Sequence, residues 1–112
     1  NELLNFNNLM KEKFYYDIKY FRPPYGRFNL KTSSLLSSLN LKCVMWNLLT
    51  YDFNNDIKKV QYTIDNYLRE NSLIVFHDNV KCSSIIENSL NYTIEQAAKR
   101  GYQFGEPEDC LK

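Results

Sequence analysis

Hydrophobic positions fall into short blocks that alternate between helical and extended spacing. In residues 2–14, Phe6, Leu9, Met10 and Phe14 recur three and four apart, which predicts an amphipathic helix. A short apolar strand at Tyr20-Phe21 runs into Arg22-Pro23-Pro24-Tyr25-Gly26. The prolines there remove backbone donors and stop regular pairing, so Arg22 is expected at a strand end. Thr32 is expected to cap a helix carrying Leu35, Leu36 and Leu39, with Asn40 at its C-terminal end. Leu41 to Leu49 reads as a strand nearly apolar on both faces, the pattern of a strand covered on both sides. Asn54, Asn55 or Asp56 then caps a helix whose Ile57, Val60, Ile64 and Tyr67 share a face, and Ser72 to His77 follows as another buried strand. A last helix starting near Ser83 or Ser84 is expected to bury Ile86, Leu90, Ile94 and Ala97 and to end at Gly101 behind Lys99 and Arg100. Tyr102 to Phe104 closes the chain as a short strand. Strands and helices alternating over short connections predict parallel strands with right-handed crossovers, an α/β fold.

A length of 112 residues fits one domain or a piece of one. With 14 Lys+Arg against 13 Asp+Glu the net charge is +1, so no long-range field attracts polyanions. No nucleic-acid partner is therefore expected, in spite of the basic and aromatic series Lys11, Lys13, Tyr15, Tyr16, Tyr20, Arg22 and Arg27. Aromatic residues change the picture more: 9 Tyr, 7 Phe and 1 Trp exceed what so small a core buries, so some Tyr should line a surface or groove suited to a sugar or ring ligand. The longest apolar run, around Leu73 to Phe76, is far too short to span a bilayer. Cys43, Cys82 and Cys110 are odd in number and widely spaced, which fits neither a disulfide framework nor a zinc ribbon; Cys43 is expected as a core thiol. The chain opens on Asn1 without a leader-like segment, so its compartment is unassigned, the cell envelope and the extracellular space both being compatible.

In parallel α/β folds, catalytic groups collect beyond the carboxyl ends of the strands. Such ends here carry Arg22 through Gly26, Trp46 through Phe53, and Phe76-His77-Asp78. Parallel strands bring Arg22, Asp52 and His77 to one rim, as an acid/base imidazole, a carboxylate and a guanidinium. Each has a plain structural role available: His77 as a satisfied strand-end residue, Arg22 at a rigid surface turn, Asp52 in a polar cap cluster, Trp46 and Phe53 in the core. Their order on consecutive strand ends is what favours function.

These residues resemble the C-terminal half of the polysaccharide deacetylase family, the NodB homology domain or carbohydrate esterase family four. Arg22-Pro23-Pro24-Tyr25-Gly26 is similar to its third motif, Trp46 through Phe53 to its fourth, and Ile74-Val75-Phe76-His77-Asp78 to its fifth, from about Tyr20 to Phe104. The resemblance implies part of a distorted (β/α) barrel that hydrolyses N- or O-acetyl groups on an acetylated carbohydrate. It further implies a divalent metal, zinc by preference, held by an Asp-His-His set, with another aspartate as base. His77 is then the general acid, Asp52 the carboxylate supporting its imidazolium, and Arg22 the group orienting the base. The Tyr25 backbone N–H helps hold the oxyanion, and Val75 with Phe53 pockets the acetyl methyl. Two departures stand out. Leu49 and Phe53 replace the first aspartate and the tryptophan of the fourth motif, and the paired aspartates and His-x-x-x-His expected before Arg22 are absent from a chain with one histidine. Residues 1–112 thus read as a partial domain whose N-terminal metal-binding half is missing, inactive alone, with an exposed sheet edge and apolar surface. The competing reading is a non-enzymatic carbohydrate-binding remnant or pseudoenzyme that stacks sugars on Tyr25, Trp46 and Phe53.

Overall fold

A computed structural model describes residues 2–110. The chain divides between Met45 and Trp46 into two compact units, each with its own pair of parallel strands.

The first unit opens with helix α1, Glu2–Phe14, whose Glu2 and Lys11/Lys13 suit the partial charges of its two ends. None of its residues is buried, and the stripe of Phe6, Leu9 and Phe14 is exposed. Strand β1, Tyr20–Phe21, ends one residue before Arg22 and pairs in parallel with β2, Lys42–Cys43. Between them lies α2, Leu30–Ser38, with Asn40 left-handed just past its end. Its N-cap is Asn29 rather than Thr32: the Asn29 carboxamide oxygen accepts from the Thr32 backbone N–H at 2.9 Å and from the Thr32 hydroxyl at 3.2 Å. Leu36 and Leu41 are the buried aliphatics of this unit, and the Leu41 N–H donates to the Leu36 carbonyl at 2.8 Å.

In the second unit β3, Leu48–Leu49, pairs in parallel with β4, Ile74–Val75, and α3, Ile57–Tyr67, connects them. The expected strand from Leu41 to Leu49 is therefore two short ones. Met45 and Asn47 between them are exposed, and the Asn47 amide bonds to backbone of the next strand's approach, accepting from Leu73 N–H at 2.8 Å and donating to the Asn71 carbonyl at 3.1 Å. The expected strand from Ser72 to His77 also contracts, because side chains intercept the backbone donors at both ends: Asn47 takes the Leu73 N–H and Asp52 the His77 N–H. Asp56 caps α3, accepting from the Lys58 N–H at 3.0 Å. Val60 and Ile64 are fully buried as the periodicity predicts, each worth about 1.5–3 kcal/mol of apolar burial. Tyr67 departs from that face and is 56% exposed, while Leu68 closes the cluster of Leu48, Val60, Ile64 and Ala97.

Helix α4, Ile86–Lys99, begins after a 3-10 turn over Val80–Cys82 rather than at Ser83 or Ser84. Its buried residues are Ser89, Thr93 and Ala97, whereas Leu90 and Ile94 are exposed. Small side chains one turn apart let α4 lie close to α3, and the Thr93 hydroxyl is satisfied internally by the Ser89 carbonyl at 2.8 Å. The helix ends in a Schellman arrangement at left-handed Gly101, with Tyr102 N–H on the Ala97 carbonyl and Gly101 N–H on that of Ala98. That use of the Tyr102 donor, and the start of α5 at Pro107–Cys110, leave no strand at Tyr102 to Phe104. The Arg100 guanidinium reaches back to cap α3 through the carbonyls of Leu68 (2.8 Å) and Asp65 (2.9 Å). No helix among the described residues is long and apolar enough to cross a membrane.

Candidate active site

The second unit presents its chemistry beyond the carboxyl ends of β3 and β4. From β3 onward the chain alternates inward at Leu48, Thr50 and Asp52, all buried, and Tyr51 and Asn55 are left-handed on either side of a 3-10 turn over Asp52–Asn54. Asp52 is wholly buried there. Its Oδ2 accepts the His77 backbone N–H at 2.6 Å and its Oδ1 lies 2.7 Å from His77 Nδ1. One carboxylate thus fixes both the main chain and the ring of His77, two residues past β4. The His77 side chain remains 35% exposed, so the imidazole bridges a buried anion and solvent. With Nδ1 facing the carboxylate, Nε2 is the ring nitrogen left for a ligand.

Further groups tighten this corner. Phe53 meets the His77 ring edge-on, with centroids 5.6 Å apart and planes at 89°, and Tyr51 follows at 5.8 Å from Phe53. The buried Thr50 hydroxyl donates to the Val75 carbonyl at 2.9 Å, tying the two strand ends together. Cys82 is fully buried nearby, and burial together with the Asp52 charge pushes its thiol up from the ordinary cysteine range. The core thiol is thus Cys82, while Cys43 is half-buried. Thr50 and Cys82 were not singled out from sequence, although Thr50 shares the parity of Leu48 and Asp52 and so was open to a period-two reading.

The other candidates distribute as follows. Val75 is 4% exposed within β4, Phe53 is 41% exposed beside His77, and half-buried Trp46 lines a groove with residues of α3. Arg22 and Tyr25 belong to the first unit. Arg22 is exposed directly after β1, and Tyr25, held left-handed at φ 56°, is exposed with the Arg27 guanidinium 5.7 Å from its ring centroid. Among the described residues no three His, Cys, Asp or Glu side chains gather into a group able to hold a metal ion. Asp52, the one acidic partner of His77, has both oxygens engaged by that residue, so the residues present do not fit a divalent-ion site.

No family model and no curated protein sequence matches the chain. Solved structures do. A CE4 family pseudoenzyme from Bacillus anthracis superposes with a TM-score of 0.82 at 16% identity, over 98% of this chain and 38% of its own. The peptidoglycan deacetylase PdaC from Bacillus subtilis gives 0.77 at 19% identity, over 94% of this chain and 50% of its own. The family 4 carbohydrate esterase from Streptomyces lividans, in complex with acetate, gives 0.63 at 23% identity, over 80% and 46%. This chain therefore spans half or less of those proteins' lengths, and over that span it has the α/β fold of the family 4 carbohydrate esterase structures.

Proposed function

We propose that this chain is the C-terminal portion of a carbohydrate deacetylase that hydrolyses N- or O-acetyl groups on a polysaccharide or oligosaccharide. The observation that supports this most is the buried Asp52 carboxylate gripping His77 by both its backbone N–H and its Nδ1, at the end of a parallel strand. Held so, His77 protonates the leaving amine or alkoxide from Nε2 as the bond to the acetyl carbon breaks, while Asp52 positions the ring and offsets its charge. Phe53 and Val75 form the pocket for the acetyl methyl, and Trp46 offers a stacking surface for sugar. Arg22 orients the catalytic base and the Tyr25 backbone N–H stabilises the oxyanion. The resemblance to metal-dependent deacetylases calls for a divalent ion that these residues do not fit. On this reading its ligands and the base come from a segment outside residues 1–112, and the chain alone is inactive.

The test is acetate release from acetylated oligosaccharides by residues 1–112 alone and by the chain joined to whatever its gene encodes upstream. Activity of the longer protein, lost on His77→Ala with its metal content retained, is the expected result. Equal loss of metal and activity would refute His77 as the acid. A second reading, a carbohydrate-binding pseudoenzyme using Tyr25, Trp46 and Phe53, fits the finding that no three His, Cys, Asp or Glu side chains among the described residues gather into a metal-holding group, and it predicts no acetate release from either form.

A further inference from the structure

Away from the Asp52–His77 pair, the second unit carries a groove of about 870 Å³, within the size range of ligand sites. Four aromatic rings, Trp46, Tyr51, Tyr62 and Tyr67, line it together with three cations, Lys58, Lys59 and Arg69, and its lining contains no carboxylate. A second groove differs. In the same unit, it mixes signs, with Glu70 and Asp109 beside Arg69 and Arg100. Among the described residues Lys58, Lys59 and Arg69 form no ion pair with a carboxylate, and Lys58 and Lys59 stand in the first turn of α3, directly after its Asp56 cap. Tyr62 and Tyr67 are 62% and 56% exposed and meet edge-on with ring centroids 6.5 Å apart, which leaves aromatic surface open to a ligand.

We infer that this groove binds an acidic glycan, a sugar chain whose carboxylates meet Lys58, Lys59 and Arg69 while its rings lie on the tyrosines and Trp46. Aromatic faces take the apolar faces of sugar rings, and the cations take the acid groups without a competing protein carboxylate. The choice of a glycan over a polynucleotide rests in part on reading His77 as carbohydrate chemistry, because Tyr51 lines the groove and leads through Phe53 to the His77 ring in steps of 5.8 and 5.6 Å.

Trp46 is the only tryptophan, so its fluorescence reports on the groove directly. The experiment titrates residues 1–112 with a linear oligogalacturonate, its uncharged methyl ester and a single-stranded oligonucleotide. A saturable change with the acid and a much weaker one with the ester are expected. Lys58→Gln with Lys59→Gln should weaken binding about fivefold, the effect of losing two solvent-screened charge contacts. Tyr62→Ala should also weaken it, with circular dichroism verifying the fold, and Asn29→Ala, in the first unit, should leave it unchanged. No response, an equal response to the ester, or tighter binding of the oligonucleotide would overturn the inference. Because the readout needs no turnover, failure here is distinct from failure of the deacetylase reading, which acetate release decides.

Discussion

Replacing Asp52 by asparagine tests the central geometry with almost no change in shape. In the native site both carboxylate oxygens are engaged, one with a backbone N–H at 2.6 Å and the other with His77 Nδ1 at 2.7 Å. An amide can satisfy both only one way round. Its oxygen must keep the backbone N–H, because turning the NH2 group toward that donor would leave two buried donors facing each other. The NH2 then points at Nδ1, which must give up its proton and become an acceptor, so the neutral imidazole is driven into the Nε2–H tautomer. Two charge-assisted bonds become neutral ones of about half the strength, a loss of about 1–2 kcal/mol for the pair. With a urea slope of about 1–3 kcal/mol per molar for a small domain, the unfolding midpoint should fall by roughly 0.3–2 M at unchanged slope. Trp46 emission follows the unfolding, and nitrogen-15 NMR of the single histidine reads the tautomer without assignment ambiguity. On the proposed function, the same change in the longer protein should slow acetate release by at least about a hundredfold, because the amide cannot offset an imidazolium charge and a neutral Nε2–H is a far weaker general acid. An unaltered tautomer together with an unaltered midpoint would show that Asp52 does not hold His77 and would remove the basis for its role.

Other perturbations probe the supports of this site and of the fold. Thr50→Val keeps shape but leaves the Val75 carbonyl without its buried donor at 2.9 Å, and should cost about 1–3 kcal/mol, read as a lower thermal midpoint; an unchanged midpoint would mean that the tie between the strand ends is idle. Alkylation of the native chain in mildly alkaline buffer should modify the half-buried Cys43 and Cys110 well before Cys82, whose thiol is raised by burial and by Asp52, and mass spectrometry reversing that order would contradict the packing at Asp52. Tyr92 donates to Asp65 at 2.6 Å and this bond raises its phenol above the ordinary tyrosine value. Its contribution to stability is present below the unfolded pKa, about 10, and is lost as pH rises through the folded one, so the urea midpoint should decline above about pH 10 and Tyr92→Phe should flatten that decline. Asn29→Ala should cost about 1 kcal/mol by uncapping α2, whereas Thr32→Ala should cost less, and the reverse order would restore Thr32 as the cap.

Elements written in local spacing were legible in the sequence. Helix α1 follows its 3.6-residue stripe, α3 its Ile57, Val60 and Ile64 face, and α4 its stop at Gly101. Asp52 and His77 were legible for a related reason: polar residues that end apolar strands stand out against their surroundings, and parallel pairing sends both strand ends the same way. What the sequence hid depends on who satisfies whom across the fold. A strand at Ser72 to His77 has a continuous apolar pattern, yet its pairing stops at Ile74–Val75 because Asn47 and Asp52, about 25 residues away in sequence, capture its flanking donors. The buried face of α4 was misread for a parallel reason. Periodicity alone prefers Leu90 and Ile94, but close approach to α3 selects the small residues Ser89, Thr93 and Ala97 and turns the larger ones outward.

The same logic explains why the dyad and the groove differ in visibility. Asp52 and His77 are each the polar end of an apolar run, so one residue suffices to draw attention to the place. The groove has no such marker. Its rings and cations are scattered over Trp46, Tyr51 and the outward faces of α3, where lysine and tyrosine are ordinary surface residues, and only folding gathers them into one concavity without a carboxylate. The aromatic excess in the composition was the single trace of it, a count that says rings must lie outside the core but not where. A buried carboxylate that fixes one imidazole can position a proton donor, but it has no extended surface with which to hold a long substrate. The ring path from the groove through Tyr51 and Phe53 to His77 joins the two, so the groove along α3 and the His77 ring lie on one continuous surface of the second unit, as the proposed function requires.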